Sequence, residues 1–311
     1  MNGYLPLQAL EGTNPLGFLA ALGVLGALAD AGCDATLQWD DDVVPCAVLG
    51  GVRDLAEALD VLDADRQRWA GSTALNYPPR APLRDAKPSA RQLREWYEAL
   101  AGPDILDADA DLLCAIAAEG AFDRNGNAKP THLHFTAGQQ QFLDMVRTLA
   151  ASLTREHLAE AVDGPWSYKS PLPSLSWDVR TERVYAMRAT NPSGEKRLGV
   201  PGADWLAFRG LAFYPVSLIR GSLQTTACDR AWKNSAFRWP LWSVPATRDV
   251  VRSLVADGTL VSQDARPRPG DLAARGIVRV LQSPIRRSDQ GGYGTFGGPV
   301  TLAAAMPGGG R

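Results

Sequence analysis

The stretch "EGTNPLGFLAALGVLGALADAG", residues 11 to 32, limits the possible folds more than any other part of the chain. Asn14 can cap a helix, Pro15 suits its first turn and Gly32 can end it, so the spacing predicts a helix from Pro15 to Ala31. Apolar residues lie on every side of that helix instead of forming one stripe, which predicts burial. Gly17, Gly23 and Gly26 each cost about 1 kcal/mol against alanine inside it, so their presence predicts close backbone contact with another element. The apolar run from Leu16 to Ala29 has only 14 residues, too few to span a bilayer, and no basic segment of a signal peptide precedes it. The expectation is a cytoplasmic protein with no membrane partner.

Around this helix the sequence alternates between strand and helix patterns. "YLPLQAL", "ATLQW" and "PCAVLGG" read as strands, "VRDLAEALDVLDADRQRWA" as an amphipathic helix, and the proline-rich residues 71 to 90 as a surface loop. Further helices are predicted at Ala90 to Ala101, Ala108 to Glu119 and Gly138 to about Val162, with the strand "THLHFT" at residues 131 to 136 before the last of them. Beyond residue 174, "SLSWDVRTERVYAMRA" alternates like a strand pair and "GADWLAFRGL" begins a helix. "LQTTACDRAW", "AFRWPLW", "GIVRVLQSPIRR" and "PVTLAAAM" read as extended segments, with the helix "TRDVVRSLVADG" among them. The fold class is therefore α+β or α/β, a mixed sheet with several helices and a buried N-terminal helix. "DGPWSYKSPLPS" supplies the best boundary, between an acidic, helix-rich region 1–165 and a basic, strand-rich region 166–311, which can also be one continuous domain.

The overall net charge of −2 conceals this division. Residues 1–165 hold 12 basic against 24 acidic residues and residues 166–311 hold 20 against 10, so −12 and +10 combine to −2. Such asymmetry fits a basic face for nucleic acid, or two halves that neutralise each other across an internal interface. Within the basic half, arginines alternate with large aromatics: Arg183 and Arg188 follow Trp177, Arg209 follows Trp205 and Phe208, and Arg238 lies between Phe237 and Trp239. The stretch "SPIRRSDQGGYGTFGGPV", residues 283–300, adds Arg286, Arg287, Gly292, Tyr293 and Phe296 beside a permissive glycine backbone. Arginines neutralise phosphates and aromatic faces stack on unpaired bases, so these nine residues are the candidate nucleic-acid contacts. The competing reading places the tryptophans in the core and the arginines in internal pairs.

Catalytic signatures are sparse. No phosphate-binding loop, dinucleotide fingerprint, nucleophile elbow or zinc-protease motif occurs, and Cys33, Cys46, Cys114 and Cys228 are too dispersed for a zinc site or disulfide framework. His132 and His134 would share one face of a strand, but no third ligand follows at a recognised spacing. The sequence assigns no catalytic residue, metal or cofactor; a nuclease using His132, His134 and an acid such as Asp178 is the weakest reading.

At "LEGTNPLGFLAALGVLGAL", "FTAGQQQFL", "WDVRTERVYAMRATNPS", "GADWLAFRGLAFYPV" and "FRWPLW" the chain resembles, over most of its length, a protein of type I-G (formerly I-U) CRISPR systems described as an extension of the helicase-nuclease. The resemblance implies a setting in prokaryotic antiviral defence, with guide RNA, target DNA and other effector subunits as partners. It supplies no catalytic residues. "GGYGTFGG" also looks like the glycine-rich loop of the RNA-binding proteins that build Cascade backbones, where that loop touches RNA phosphates. The expectation is a non-enzymatic subunit or accessory binding nucleic acid through its basic half. The alternative is an adaptor whose acidic half recruits the helicase-nuclease.

Overall fold

The computed structural model describes residues 3–102, 107–136, 139–181, 198–287 and 293–305. The described chain opens on a strand, β1 (Leu5–Glu11), so the buried helix is the second element and not the N-terminal one. That helix, α1 (Pro15–Asp30), starts where the Asn14 side chain accepts the Leu16 amide at 3.1 Å and ends before Gly32 at φ +79°. β2 (Thr36–Trp39) and β3 (Cys46–Gly50) complete an antiparallel sheet of order β1-β3-β2.

Helices α2 (Leu55–Ala70), α3 (Thr73–Asn76), α4 (Ala90–Ala99) and α5 (Asp107–Ile116) follow. Asp54 caps α2 through the Glu57 amide, and Ser89 and Gln92 form a reciprocal capping box on α4. The single helix expected up to Val162 is two: α6 (Phe142–Ser152) and α7 (Arg155–Val162), with Gly138, its expected start, outside the described residues. Leu153 and Thr154 are both extended, and Thr154 caps the second helix together with His157, so a capping side chain interrupts what periodicity alone would continue.

The second half holds α8 (Pro201–Gly210), the hairpin β4 (Val216–Ile219) and β5 (Ser222–Thr225), then β6 (Ser235–Trp242). Next come α9 (Arg248–Ala256), α10 (Gly258–Val261), α11 (Pro269–Ala274), β7 (Ile277–Arg287), β8 (Gly294–Phe296) and β9 (Val300–Ala304). β7 is central, with β6 on one side and β8 and β9 on the other. Every named ladder is antiparallel, which makes the fold α+β rather than α/β. No described helix is long and apolar enough to cross a membrane.

Two expected strands are absent. The described part of "SLSWDVRTERVYAMRA" contains a 3-10 turn at Val179–Thr181 and no strand, and its remainder lies outside the described residues. "THLHFT" is irregular although all six residues are buried. Its backbone is satisfied from elsewhere: Thr225 Oγ1 accepts the His132 amide, Leu133 O accepts Trp177 Nε1–H at 2.9 Å, and Phe135 O accepts the Gly294 amide at 3.2 Å. Buried backbone needs partners but not a ladder.

α1 and α8 cross with backbone touching backbone. A Cβ at Gly23 would lie 1.8 Å from Leu206 O, and one at Gly210 would lie 2.1 Å from Leu19 O, so the approach requires both glycines. Around the crossing, one core extends in sequence from Leu7 to Phe296 and draws on both charge halves. Trp39, Trp69, Trp96, Trp177, Trp205, Trp239 and Trp242 are all fully buried in it. Trp239 Nε1 donates to Gly12 O at 2.8 Å and Trp242 Nε1 to Leu37 O at 2.7 Å, which ties β6 to the first sheet.

Candidate nucleic-acid interface

The glycine-rich segment approaches the protein itself. Gly294 pairs with Arg287 across β7 and β8, and a Cβ there would stand 2.4 Å from the Phe135 ring. Phe296 is fully buried, edge-on to Phe135 at 4.9 Å and tilted against Phe237 at 5.6 Å. It is a core residue with no face left for a base. Arg287 lies 3.7 Å from the Trp232 ring centroid and donates to His132 O at 2.8 Å and His134 O at 3.3 Å. Burial brings its pKa down to about 10, and among the described residues no carboxylate pairs with it. Arg286 and Tyr293 are exposed, while Gly292, Arg183 and Arg188 lie outside the described residues.

Two other candidate arginines turn inward. Arg209, 2% exposed, donates to both oxygens of Asp65 at 2.8 and 3.1 Å and to Asp30 at 2.8 Å, and its guanidinium stacks on Trp69 at 4.4 Å. Arg238 is buried against Asp229. Arg248 also reaches Asp30, at 2.7 Å, and Arg252 reaches Asp111. Arg209, Arg248 and Arg252 therefore bring charge from the basic half onto carboxylates of the acidic half. Arg209 is thus engaged across the two halves and Arg238 within its own half.

His132 and His134 have separate sets of partners. Thr225 Oγ1 sits 3.1 Å from His132 Nδ1, and Nε2–H donates to Ala231 O at 3.2 Å. Burial lowers this imidazole to about 4 against the opposing pull of Ala231, so it is neutral at neutral pH. His134 Nε2 meets Asp85 Oδ1 at 3.0 Å and Thr136 Oγ1 at 2.7 Å. Burial pushes this ring below its ordinary value too. Burial alone would raise Asp85, but the His134 N–H and the Lys87 ammonium outweigh it and hold the carboxyl below its usual range.

A proton relay needs hydroxyl and carboxylate on opposite ring nitrogens. Here both meet Nε2, so Thr136 is not activated. Asp178 accepts from Asn14 Nδ2 at 3.1 Å, Tyr168 OH at 2.8 Å and the Arg180 amide at 3.0 Å. Among the described residues no three His, Cys, Asp or Glu side chains are grouped to hold a metal ion.

Exposed positive charge also gathers on the segments that adjoin Arg287. The segment 120–134, the β4–β5 hairpin and the loop 229–234 pack together: His132 touches Thr225 and Ala231, its ring lies 5.5 Å from Trp232, and Gly120 lies against Leu218. These segments expose Arg124, Lys129, Arg220, Arg230 and Lys233. None of the five pairs with a described carboxylate, whereas nearby acids are engaged: Asp123 accepts the Asn125 and Asn127 amides, Asp229 holds Arg238 and Glu119 holds Arg94. None of the five is among the nine contacts expected from the sequence. The available signal was a cation beside turn-forming Asn or Gly in "DRNGN", "IRGS" and "WKNS". Comparison with protein-family models and with curated proteins finds no match for this chain.

Proposed function

We propose that this chain is a non-enzymatic subunit or accessory of a type I CRISPR effector, acting in the prokaryotic cytoplasm and binding guide RNA or target DNA. The sequence resemblance supplies the setting, and the observation that carries the binding is the face of Arg124, Lys129, Arg220, Arg230 and Lys233, exposed and without carboxylate partners among the described residues. Unneutralised cations on one face attract a polyanion and release its counterions. The test is titration with RNA, single-stranded DNA and duplex DNA at several salt concentrations, with the chain alone and in complex with the other effector subunits. Replacing Lys129, Arg230 and Lys233 by alanine should lower the slope of log affinity against log salt by about 2 to 3. Absence of binding to any of these ligands in both settings would overturn the reading.

One observation favours the adaptor reading. In the loop between β2 and β3, Val43 and Val44 are 83% and 45% exposed beside Asp41 and Asp42, an apolar step on an acidic rim. Exposed aliphatics framed by charge suit a protein partner. If Val43→Ser/Val44→Ser abolishes co-purification with the helicase-nuclease while nucleic-acid affinity stays intact, this loop is the recruiting surface.

A further inference from the structure

The β4–β5 hairpin forms a two-stranded sheet of its own and rests on a small satellite cluster of Ala118, Ala121 and Leu223, flanked by Val216. Every residue from 217 to 222 is exposed. Leu218 and Ile219, 43% and 42% exposed, are consecutive in a strand and so project from opposite faces of the ribbon. Aliphatics this exposed at the end of a narrow projection, Leu218 only partly covered by Gly120, point to something outside the chain. The turn itself adds a second sign. Arg220 and Gly221 have φ +51° and +76°, a two-residue turn whose first position favours Asn, Asp or Gly. An arginine held in the left-handed region against that preference is the kind of local strain found where a side chain has a binding role.

Building on the nucleic-acid reading above, we infer that this hairpin enters a duplex. Arg220 projects into the minor groove, Ile219 wedges against a base step, Leu218 on the opposite face of the ribbon meets the groove wall, and Lys129, Arg230 and Lys233 hold the flanking phosphates. The residue types separate a duplex from a single strand. Single strands are bound by exposed aromatic platforms, but the hairpin carries no aromatic and Arg287 already covers the nearby Trp232 ring. Aliphatic wedges with a minor-groove arginine instead unstack and bend duplexes. The unneutralised cations on the adjoining segments favour a polyanion over an apolar protein surface.

The experiment compares wild type with Leu218→Ser/Ile219→Ser and with Arg220→Gly, all at exposed positions. The probes are a duplex carrying 2-aminopurine at a central step and the corresponding single strand, titrated at several salt concentrations with melting temperatures recorded. The serine pair should weaken duplex binding at least tenfold, leave the salt slope and the single-strand affinity unchanged, and abolish the rise in 2-aminopurine fluorescence. Arg220→Gly should lower the salt slope by about 0.9 with the fold retained. Duplex binding and fluorescence equal to wild type in the serine pair would overturn insertion while leaving the binding function in place. Stronger binding of wild type to the single strand than to the duplex would overturn insertion too. Loss of a co-purifying protein at unchanged nucleic-acid affinity would overturn it and assign the hairpin to that protein. No binding by wild type, alone or with the other subunits, would overturn both readings.

Discussion

The α1–α8 crossing and the loop face around the β4–β5 hairpin use cationic residues of the same kind to opposite ends. At the crossing, Arg209 is enclosed by Asp65, Asp30 and Trp69, and the helices approach until only glycine fits. On the loop face, Arg220, Arg230 and Lys233 are exposed and make no ion pair with a described acid. A basic residue next to aromatics in sequence says little about which case holds. Burial and the presence of a carboxylate decide it, and both come from parts of the chain far away in sequence.

The largest expected effect falls on the enclosed arginine. Arg209→Ala removes the cation that fills the site between Asp65 and Asp30, leaving buried Asp65 without its two hydrogen bonds from Arg209 while Asp30 keeps Arg248, and should destabilise by about 3 kcal/mol. Chemical denaturation measures it. A loss below about 1 kcal/mol would mean that the halves are held together without this pair. Gly23→Ala comes next, because its methyl group would meet the Leu206 carbonyl. About 3 kcal/mol of overpacking, against about 1 kcal/mol gained in helix propensity, leaves a net loss of about 2 kcal/mol. An unchanged denaturation midpoint would show that α1 and α8 can separate at no cost.

A third prediction concerns Asp204, which is fully buried on α8. Its Oδ1 accepts the Leu175 amide at 3.0 Å. Burial pushes its pKa up to about 7, against the pull of the Leu175 amide and the Ser174 hydroxyl and with Asp178 adding to the rise. The folded state therefore holds a proton that the unfolded chain releases near 4. Stability from this group is fully present below that value and is lost as pH rises toward 7, at up to about 1.4 kcal/mol per pH unit. Asp204→Asn should flatten the fall between pH 4 and 7 relative to wild type. Parallel pH profiles for the two proteins would show that the carboxyl titrates normally.

Local rules made much of the fold legible. The α1 helix was readable from Asn14, Pro15 and Gly32, and β1, β2, β3, β6, β7 and β9 from their extended patterns, because caps and side-chain periods act over a few residues, whereas β4 and β8 carried no such pattern. "THLHFT" was not readable, since its buried backbone is satisfied by Thr225, Trp177 and Gly294, all at least 40 residues away in sequence and invisible to periodicity. The glycine segment was open to two readings for a related reason. Glycine signals close approach but not to what, and here the neighbour is Phe135. The exposed basic face was hidden because its members come from three separate turns, each too short to form a motif.

Arg287 and Arg230 give the smallest and sharpest separation of the two regions. Arg287 supplies hydrogen bonds to two buried carbonyls, His132 O and His134 O, so Arg287→Ala leaves acceptors unsatisfied and should cost about 1 to 3 kcal/mol. The guanidinium is covered by Trp232 and turned toward those carbonyls, so the salt slope for nucleic acid should stay as in wild type. Arg230 is exposed and unpaired among the described residues. Arg230→Ala should change stability by less than about 0.5 kcal/mol and lower the salt slope by about 0.9. Each variant thus moves one measurement and leaves the other still. If Arg287→Ala lowers the slope as Arg230→Ala does, the glycine-rich edge joins the binding surface; if Arg230→Ala moves neither, the loop face is not where the polyanion lies.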